Sequence, residues 1–204
     1  MLAMFIISAA VTIALNMRFI YAADIDRYGL TEISGLSKEG LMEDYKELID
    51  YNCVWGDSSL DFPHFTLSDG AAQHFVEARR IFLFFGWGIL MFGIPALIGI
   101  IIAKRKNYGH GYLLCSAVLT LILPVILGAA CAVAWDQIFV LFHKISFGND
   151  LWLFDPAVDP VINVLPDQFF LHEAIAIFGL VIAGGIICLA VYLRSRKTHK
   201  APQD

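Results

Sequence analysis

Long apolar runs alternate with polar stretches along the chain, and four of the runs are long enough to cross a membrane. They are Met1–Ala22, Ile81–Ala103, Tyr112–Trp135 and Ala174–Leu193. A helix rises ~1.5 Å per residue and the hydrocarbon core of a bilayer is ~30 Å thick, so one crossing takes ~20 apolar residues. The pattern predicts an all-α membrane protein with four transmembrane helices.

The first apolar run is the least regular of the four. Asn16 and Arg18 interrupt it near its end, and Tyr21-Ala22-Ala23 has a weak likeness to a cleavage site. A cleaved signal peptide is therefore the alternative to a retained helix. The apolar stretch is long for the hydrophobic region of a signal peptide, which favours the retained helix.

The composition agrees with a membrane protein. Hydrophobic residues make up 58% of the 204 residues, and charged residues make up 16%, well below the usual quarter of a soluble domain. The mean hydropathy is +0.69. Four spans leave no room for a second large domain, so residues 1–204 are expected to form a single membrane domain.

Basic residues mark one side of the membrane. Lys104, Arg105 and Lys106 follow the second run, and the positive-inside rule places such clusters in the cytoplasm. The two long connections, Ala23–Arg80 and Asp136–Glu173, then lie outside, and acids outnumber bases in both. The predicted topology has both termini inside and two exoplasmic segments that form a small cap. The C-terminal tail adds further basic residues at Arg194, Arg196, Lys197 and Lys200.

The first outer segment, Ala23–Arg80, predicts two helices. Ser37–Tyr51 has apolar residues at helical spacing behind a serine cap, which is typical of an amphipathic helix. Ser68 is the cap of a second helix that carries His74 and continues into the second spanning run. Cys53–Phe65 lies between them and leaves room for a short β-hairpin.

The second outer segment, Asp136–Glu173, concentrates polar and aromatic side chains between two apolar runs. Its prolines prevent one long helix, and Asp155-Pro156 and Asp159-Pro160 are typical of turns. Many of its other residues are apolar, so the segment is expected to pack against the top of the bundle. The side chains of this segment that are candidates for catalysis or binding are His143, Asn149, Asp150, Trp152, Asp155 and Asp159.

This second segment resembles the signature of the lipoprotein intramolecular transacylases, a bacterial four-helix membrane family that includes enzymes of Gram-positive bacteria. The matching residues are His143, Asn149, Asp150, Trp152, Asp155-Pro156, Asp159, Pro166 and Phe169-Phe170.

The first segment agrees more loosely. Tyr45 and Tyr51 resemble the family's tyrosine pair, and Ser68 with His74 resembles its serine-then-histidine motif. The chain departs from the pattern at Glu77, where aspartate is usual, and at Gly70-Ala71, where an acid is usual.

The resemblance implies an enzyme that catalyses an intramolecular acyl transfer. The sn-2 acyl chain of a diacylglyceryl-modified cysteine moves to the α-amino group of that same N-terminal cysteine and gives a lyso-form lipoprotein. No cofactor or metal is implied. The expected partners are diacylglyceryl lipoprotein N-termini and membrane lipids, without nucleic acid. The expected location is the bacterial plasma membrane, with the active site at the exoplasmic face.

Two histidines, His74 and His143, are the predicted catalytic pair. A histidine side chain ordinarily titrates with a pKa of ~6.5 and an α-amino group with one of ~7.7–8.0, so an imidazole can take the amine proton or protonate the glycerol oxygen. The sequence leaves open which histidine is the base and which the acid. The other predicted substrate-binding or orienting residues are Asn149, Asp150, Trp152, Tyr51, Tyr45, Glu77 and Asp155.

Two other functions stay open. A metal-dependent membrane hydrolase would use the outer histidines, which also include His64 and His172, but their spacing matches no recognised ligand motif. A non-enzymatic transport or assembly protein would need polar residues within the spans. Few are present there, namely Asn16, Ser116 and Thr120.

Overall fold

The computed structural model describes residues 1–198, with side chains through residue 196. Within these residues the chain is helical and has no strand, which confirms the prediction of an all-α membrane protein. Lys200, one of the basic tail residues behind the predicted orientation, lies outside the described residues. The elements are α1 Leu2–Leu15, α2 Phe19–Tyr28, α3 Leu30–Ser34, α4 Lys38–Asn52, α5 Asp69–Arg105, α6 Gly111–Phe147, a 3-10 helix Pro160–Val164 and α7 Asp167–Thr198.

Three helices, α5, α6 and α7, are each long and apolar enough to cross a membrane. α1 and α2 form a pair bent by 50°, which counts as a fourth crossing when the two are taken as one span. The predicted first span, Met1–Ala22, is therefore a broken helix. Asn16 donates its side-chain amide to the carbonyl of Thr12, and Arg18 binds Asp50 of α4 at 2.7 Å. The break lets Arg18 leave the apolar run for an acidic partner.

The bundle is held by two close helix pairs. α5 packs along α1 and α6 packs along α7, while α1 also contacts both α6 and α7. A Cβ at Gly184 would overlap Ile6 of α1, and one at Gly185 would lie 2.7 Å from Thr120 of α6. Small residues at these positions let the helices approach closely.

The two outer segments and the end of the first apolar run form one cap. Its core combines α2, α3 and α4 with the 3-10 helix of the second outer segment. Since both long connections contribute to this core, the helices that leave them are fixed relative to each other. The largest fully buried apolar side chains of the cap are Tyr21, Ile25, Leu30, Leu41 and Val161.

The short hairpin considered for Cys53–Phe65 does not form, because turns and bends fill this stretch. Side chains bind its backbone where a partner strand would otherwise do so. Asp44, buried on α4, accepts a hydrogen bond from the backbone N–H of His64 at 3.0 Å, and its other oxygen lies 3.0 Å from the His64 Nδ1. Arg79 donates to the carbonyl of Ser58 at 2.9 Å.

Candidate functional site

The two predicted histidines meet between the outer ends of α5 and α6. His74 lies in the second turn of α5, which continues into the spanning run as the sequence predicted. His143 lies in the last turns of α6, beyond a kink at Ala134, where φ −146° and ψ 52° interrupt the helix. The ring centroids of His74 and His143 are 5.9 Å apart. At this separation both imidazoles can contact one substrate group bound beside them.

His143 is held by its own helix and by aromatic neighbours. Its Nδ1 lies 2.7 Å from the carbonyl oxygen of Phe139. A carbonyl only accepts, so Nδ1 carries the hydrogen and Nε2 of the neutral ring keeps a free lone pair. The ring lies 4.3 Å from that of Phe139 and 4.7 Å from that of Trp152. The imidazole is therefore fixed with its basic nitrogen available.

His74 lies in an apolar environment above the spanning run that starts at Ile81. Its ring is 4.6 Å from Phe147 and 5.5 Å from Phe154, and its Nδ1 is buried without a hydrogen-bond partner. Burial, reinforced by the neighbouring His143, lowers the pKa of His74 to about 4. Burial also lowers the pKa of His143. Both rings are consequently neutral at pH 7 and able to accept a proton.

The buried, neutral His74 should make stability depend on pH. The unfolded chain binds a proton at this residue below the ordinary pKa of ~6.5, whereas the folded chain does so only near 4. The free energy of unfolding should therefore fall as the pH drops from ~6.5 to ~4. Thermal unfolding in detergent should show a steeper acid loss for the wild type than for His74→Gln. Parallel pH curves for the two proteins would contradict this assignment.

A polar link joins α5 to the loop after α6. Asn149 donates its side-chain amide to a Glu77 carboxylate oxygen at 2.9 Å and to the carbonyl of Phe147 at 3.2 Å. The bond from Asn149 to Glu77, with one from Gln73, holds the pKa of Glu77 below its ordinary value. The Trp152 indole N–H donates to the Asn149 carbonyl at 2.9 Å. The link places Trp152 against His143.

The remaining predicted residues lie farther from the pair. Tyr45 is buried in the cap and stacks on Tyr21 at 4.2 Å. Tyr51 lies under the Arg79 guanidinium, which is 4.4 Å from the centre of its ring. The other two residues, Asp150 and Asp155, are exposed on the loop, where Asp155 caps the backbone N–H of Ala157 at 2.9 Å.

Asp159 has a role that sequence reasoning missed, because it was interpreted as a turn former. Its carboxylate is buried and accepts two hydrogen bonds from Ser68, at 2.7 Å from the backbone N–H and at 2.8 Å from the hydroxyl. Ser68 in turn caps α5 by accepting from the N–H of Ala71. The second outer segment thus fixes the start of the helix that carries His74. The only sequence signal was the membership of both residues in the family-like motifs.

A cavity of about 490 Å³ opens between α5 and α6 beside the histidine pair. Its lining is polar at Glu77, Arg80 and Ser146 and aromatic at Phe84, Phe85 and Phe147. A lipid with a polar glycerol and apolar chains has the same distribution of polarity. The lining residues are Glu77, Arg80, Ile81, Phe84, Phe85, Ser146 and Phe147.

Two other histidines of the outer segments bind carboxylates of the cap. His64 pairs with Asp44, and His172 pairs with Asp24 at 2.8 Å. Across the described part of the chain, no three side chains from histidine, cysteine, aspartate and glutamate are grouped as ligands of a metal ion. No observation thus supports the metal-dependent hydrolase.

Comparisons with known proteins give one consistent result. The profile of the family described as lipoprotein intramolecular transacylase Lit matches residues 1–170. The in meso structure of the membrane integral lipoprotein intramolecular transacylase Lit from Bacillus cereus has a TM-score of 0.92 and 30% sequence identity, over 98% of this chain and 93% of that chain.

Structures of two variants of the Bacillus cereus protein also match, one with arginine and one with alanine in place of a histidine. Each has a TM-score of 0.85 and 30% identity over 98% of this chain. The match covers 88% of the arginine variant's chain and 91% of the alanine variant's chain. No curated protein sequence matches the chain.

Proposed function

Because this chain belongs to the lipoprotein intramolecular transacylase family, we propose that it moves the sn-2 acyl chain of a diacylglyceryl-modified lipoprotein to the α-amino group of that lipoprotein's N-terminal cysteine. Family and structure make it a multi-pass membrane acyltransferase. The observation that carries the detailed proposal is the pair of neutral imidazoles, His74 and His143, beside a cavity between two spanning helices.

The reaction needs no second substrate. The amine nitrogen forms a bond to the ester carbonyl carbon, the bond from that carbon to the sn-2 oxygen breaks, and the proton lost by the amine ends on the glycerol oxygen. Nucleophile and ester belong to one molecule, so holding them in a near-attack geometry supplies much of the acceleration. No covalent bond to the enzyme is required.

The pair moves this proton. His143 accepts it at Nε2, because its Nδ1–H is bound to the Phe139 carbonyl. His74 lies across the cleft with an unpartnered Nδ1. It takes the proton from the His143 imidazolium and passes it to the glycerol oxygen as the tetrahedral intermediate collapses, so both rings end neutral. The low pKa of His74 suits this step, since a strongly acidic imidazolium gives up its proton readily.

Asn149 acts as a positioning residue in this proposal. Both amide hydrogens are engaged, one by Glu77 and one by the Phe147 carbonyl, so the amide is not free to polarise the substrate carbonyl. It instead fixes the loop that packs Trp152 on His143. Glu77, Asn149 and Trp152 thereby set the orientation of the base.

The substrate enters sideways from the bilayer. Its acyl chains lie along the aromatic residues of the α5–α6 cavity, Phe84 and Phe85, and its glycerol lies against the polar lining at Glu77. The basic cluster Lys104–Lys106 favours the cytoplasm, which puts the histidine pair at the exoplasmic face.

Mass spectrometry of a lipoprotein N-terminal peptide tests the activity. Cells that express this protein should yield an N-acyl, monoacylglyceryl cysteine, and cells without it should yield the diacylglyceryl form. Membranes of both strains should be compared for equal lipoprotein amounts. A peptide that stays fully diacylglyceryl in expressing cells would refute the proposal.

A further inference from the structure

A second group of buried polar atoms lies away from the histidine pair. The Glu173 Oε1 on α7 and the Tyr45 hydroxyl on α4 are both buried and have no hydrogen-bond partner. Unpaired polar atoms are costly in a buried, apolar setting. A ligand with a polar atom at this position would satisfy them.

Glu173 faces the interior of the bundle. One turn earlier on α7, Phe169 contacts Tyr45 of α4 at 5.7 Å and Phe170 contacts Phe139 of α6 at 5.8 Å. By helical spacing, Glu173 projects between these two directions. It therefore points into the space enclosed by α4, α6 and α7.

The depth of the carboxyl group follows from the same contacts. Phe139 is one turn before His143 on α6 and is level with Phe170. Long side chains in a helix lean toward the helix N-terminus, and the N-terminus of α7 is on the cap side. The Glu173 carboxyl therefore reaches back to about the level of Phe170. The carboxyl is then about one helical turn, ~5 Å, farther from the cap along the bundle than His143.

The carboxyl is neutral at pH 7. Glu173 precedes the apolar run that begins at Ala174, and burial together with the negative charge of Asp24 on α2 raises its pKa to about 8. Tyr45 faces it from α4 and stays protonated, since burial and then Glu173 itself raise the pKa of that phenol. Arg18, at the junction of α1 and α2, binds Asp50 and leaves the carboxyl without a cation. A neutral carboxyl is a hydrogen-bond donor.

We propose that Glu173, as a carboxylic acid, donates a hydrogen bond to the carbonyl oxygen of the glyceryl ester that is not transferred. This inference rests on the proposed transacylation. The two ester carbonyls of one diacylglyceryl group are separated by a few bonds, which suits a donor one turn below the catalytic pair. An ester carbonyl accepts and carries no charge, so it pairs with a neutral acid. Glu173 would thereby help to bind the diacylglyceryl group beside His74 and His143.

Removing the donor should weaken binding rather than chemistry, because the retained ester does not change during the reaction. With the purified full-length protein and a diacylglyceryl lipopeptide in mixed micelles, Glu173→Leu should raise KM ~10-fold at pH 7, the size of one lost buried hydrogen bond. Glu173→Gln keeps an N–H donor and should restore most of the affinity. Glu39→Gln, at an exposed carboxyl of the cap, is the matched control.

The pH dependence separates a donor role from a structural one. Glu173 is neutral below a pKa of about 8 and loses its proton above it, so the wild-type KM should rise ~10-fold between pH 7 and pH 9. Glutamine does not ionise, so Glu173→Gln lacks this pH-dependent loss of affinity. The ratio of the Glu173→Gln KM to the wild-type KM should therefore fall between pH 7 and pH 9. A constant ratio would overturn the proposal.

A substrate analogue completes the test. A lipopeptide with an ether in place of the retained ester lacks the acceptor, so the wild type should bind it ~10-fold more weakly. Glu173→Leu should show no further loss with it, as expected when both changes remove one interaction. Independent, multiplying losses would overturn the inference while leaving transacylation intact. A wild type that forms no lyso product from the diester would instead refute the proposed function.

Discussion

Replacing either histidine of the pair with alanine should lower turnover by ~10²–10⁴-fold, the usual range for losing a general acid or base. His143→Ala removes the Nε2 that accepts the amine proton, and His74→Ala removes the partner 5.9 Å away across the cleft. Turnover should be measured with purified protein and a diacylglyceryl lipopeptide. Yield and monodispersity in detergent must show that each variant is folded.

The two losses should not multiply, because both groups serve one transition state. The double variant His74→Ala/His143→Ala should be about as slow as the slower single variant. His110→Ala is the control, since this residue precedes α6 at the opposite end of that helix. A folded His143→Ala protein with near-normal turnover would exclude the proton-transfer scheme.

Breaking the contact between Asp159 and Ser68 should have the second large effect. Asp159→Ala removes two hydrogen bonds to a buried carboxylate, at 2.7 and 2.8 Å. Bonds to a charged group contribute ~1.5–3 kcal/mol each, so losing both should lower the free energy of unfolding by ~3–6 kcal/mol. Ser68 keeps its cap contact to Ala71. Thermal unfolding in detergent measures this loss.

Activity should fall with the same change, because Ser68 starts the helix that places His74. Asp159→Asn keeps an acceptor for the Ser68 N–H and should retain part of both stability and turnover. Asp57→Ala, at an exposed acid of the other connection, should change stability by less than ~0.5 kcal/mol. An Asp159→Ala protein as stable as the wild type would show that the cap does not depend on this contact.

Much of the fold is encoded locally and was predictable. The spanning helices follow from the length of the apolar runs, because a bilayer excludes unpaired backbone groups and sets the length of a crossing. The helices capped by Ser37 and Ser68 follow from a serine hydroxyl that accepts from the first helical turn, and both bonds form, to Gly40 and Ala71. These features depend on neighbours within a few residues.

The site itself came only partly from the sequence. Likeness to a family motif picked out His74 and His143, yet no local pattern states that two imidazoles on different helices lie 5.9 Å apart. The kink at Ala134, which redirects the end of α6 that carries His143, had no signal in the apolar run.

The roles of several acids were decided by the tertiary structure alone. Asp159 could equally begin a turn or bind Ser68, and only the packing of the two outer segments puts the carboxylate and the helix start together. Arg18, at the bend of the first span, binds Asp50, 32 residues away in the chain. The neutral state of Glu173 also depends on the tertiary structure, because burial and the nearby Asp24 raise its pKa. The sequence determined which segments are helical and cross the membrane, whereas long-range contacts decided which side chains share a site, because burial and charge at a position depend on residues distant in the chain.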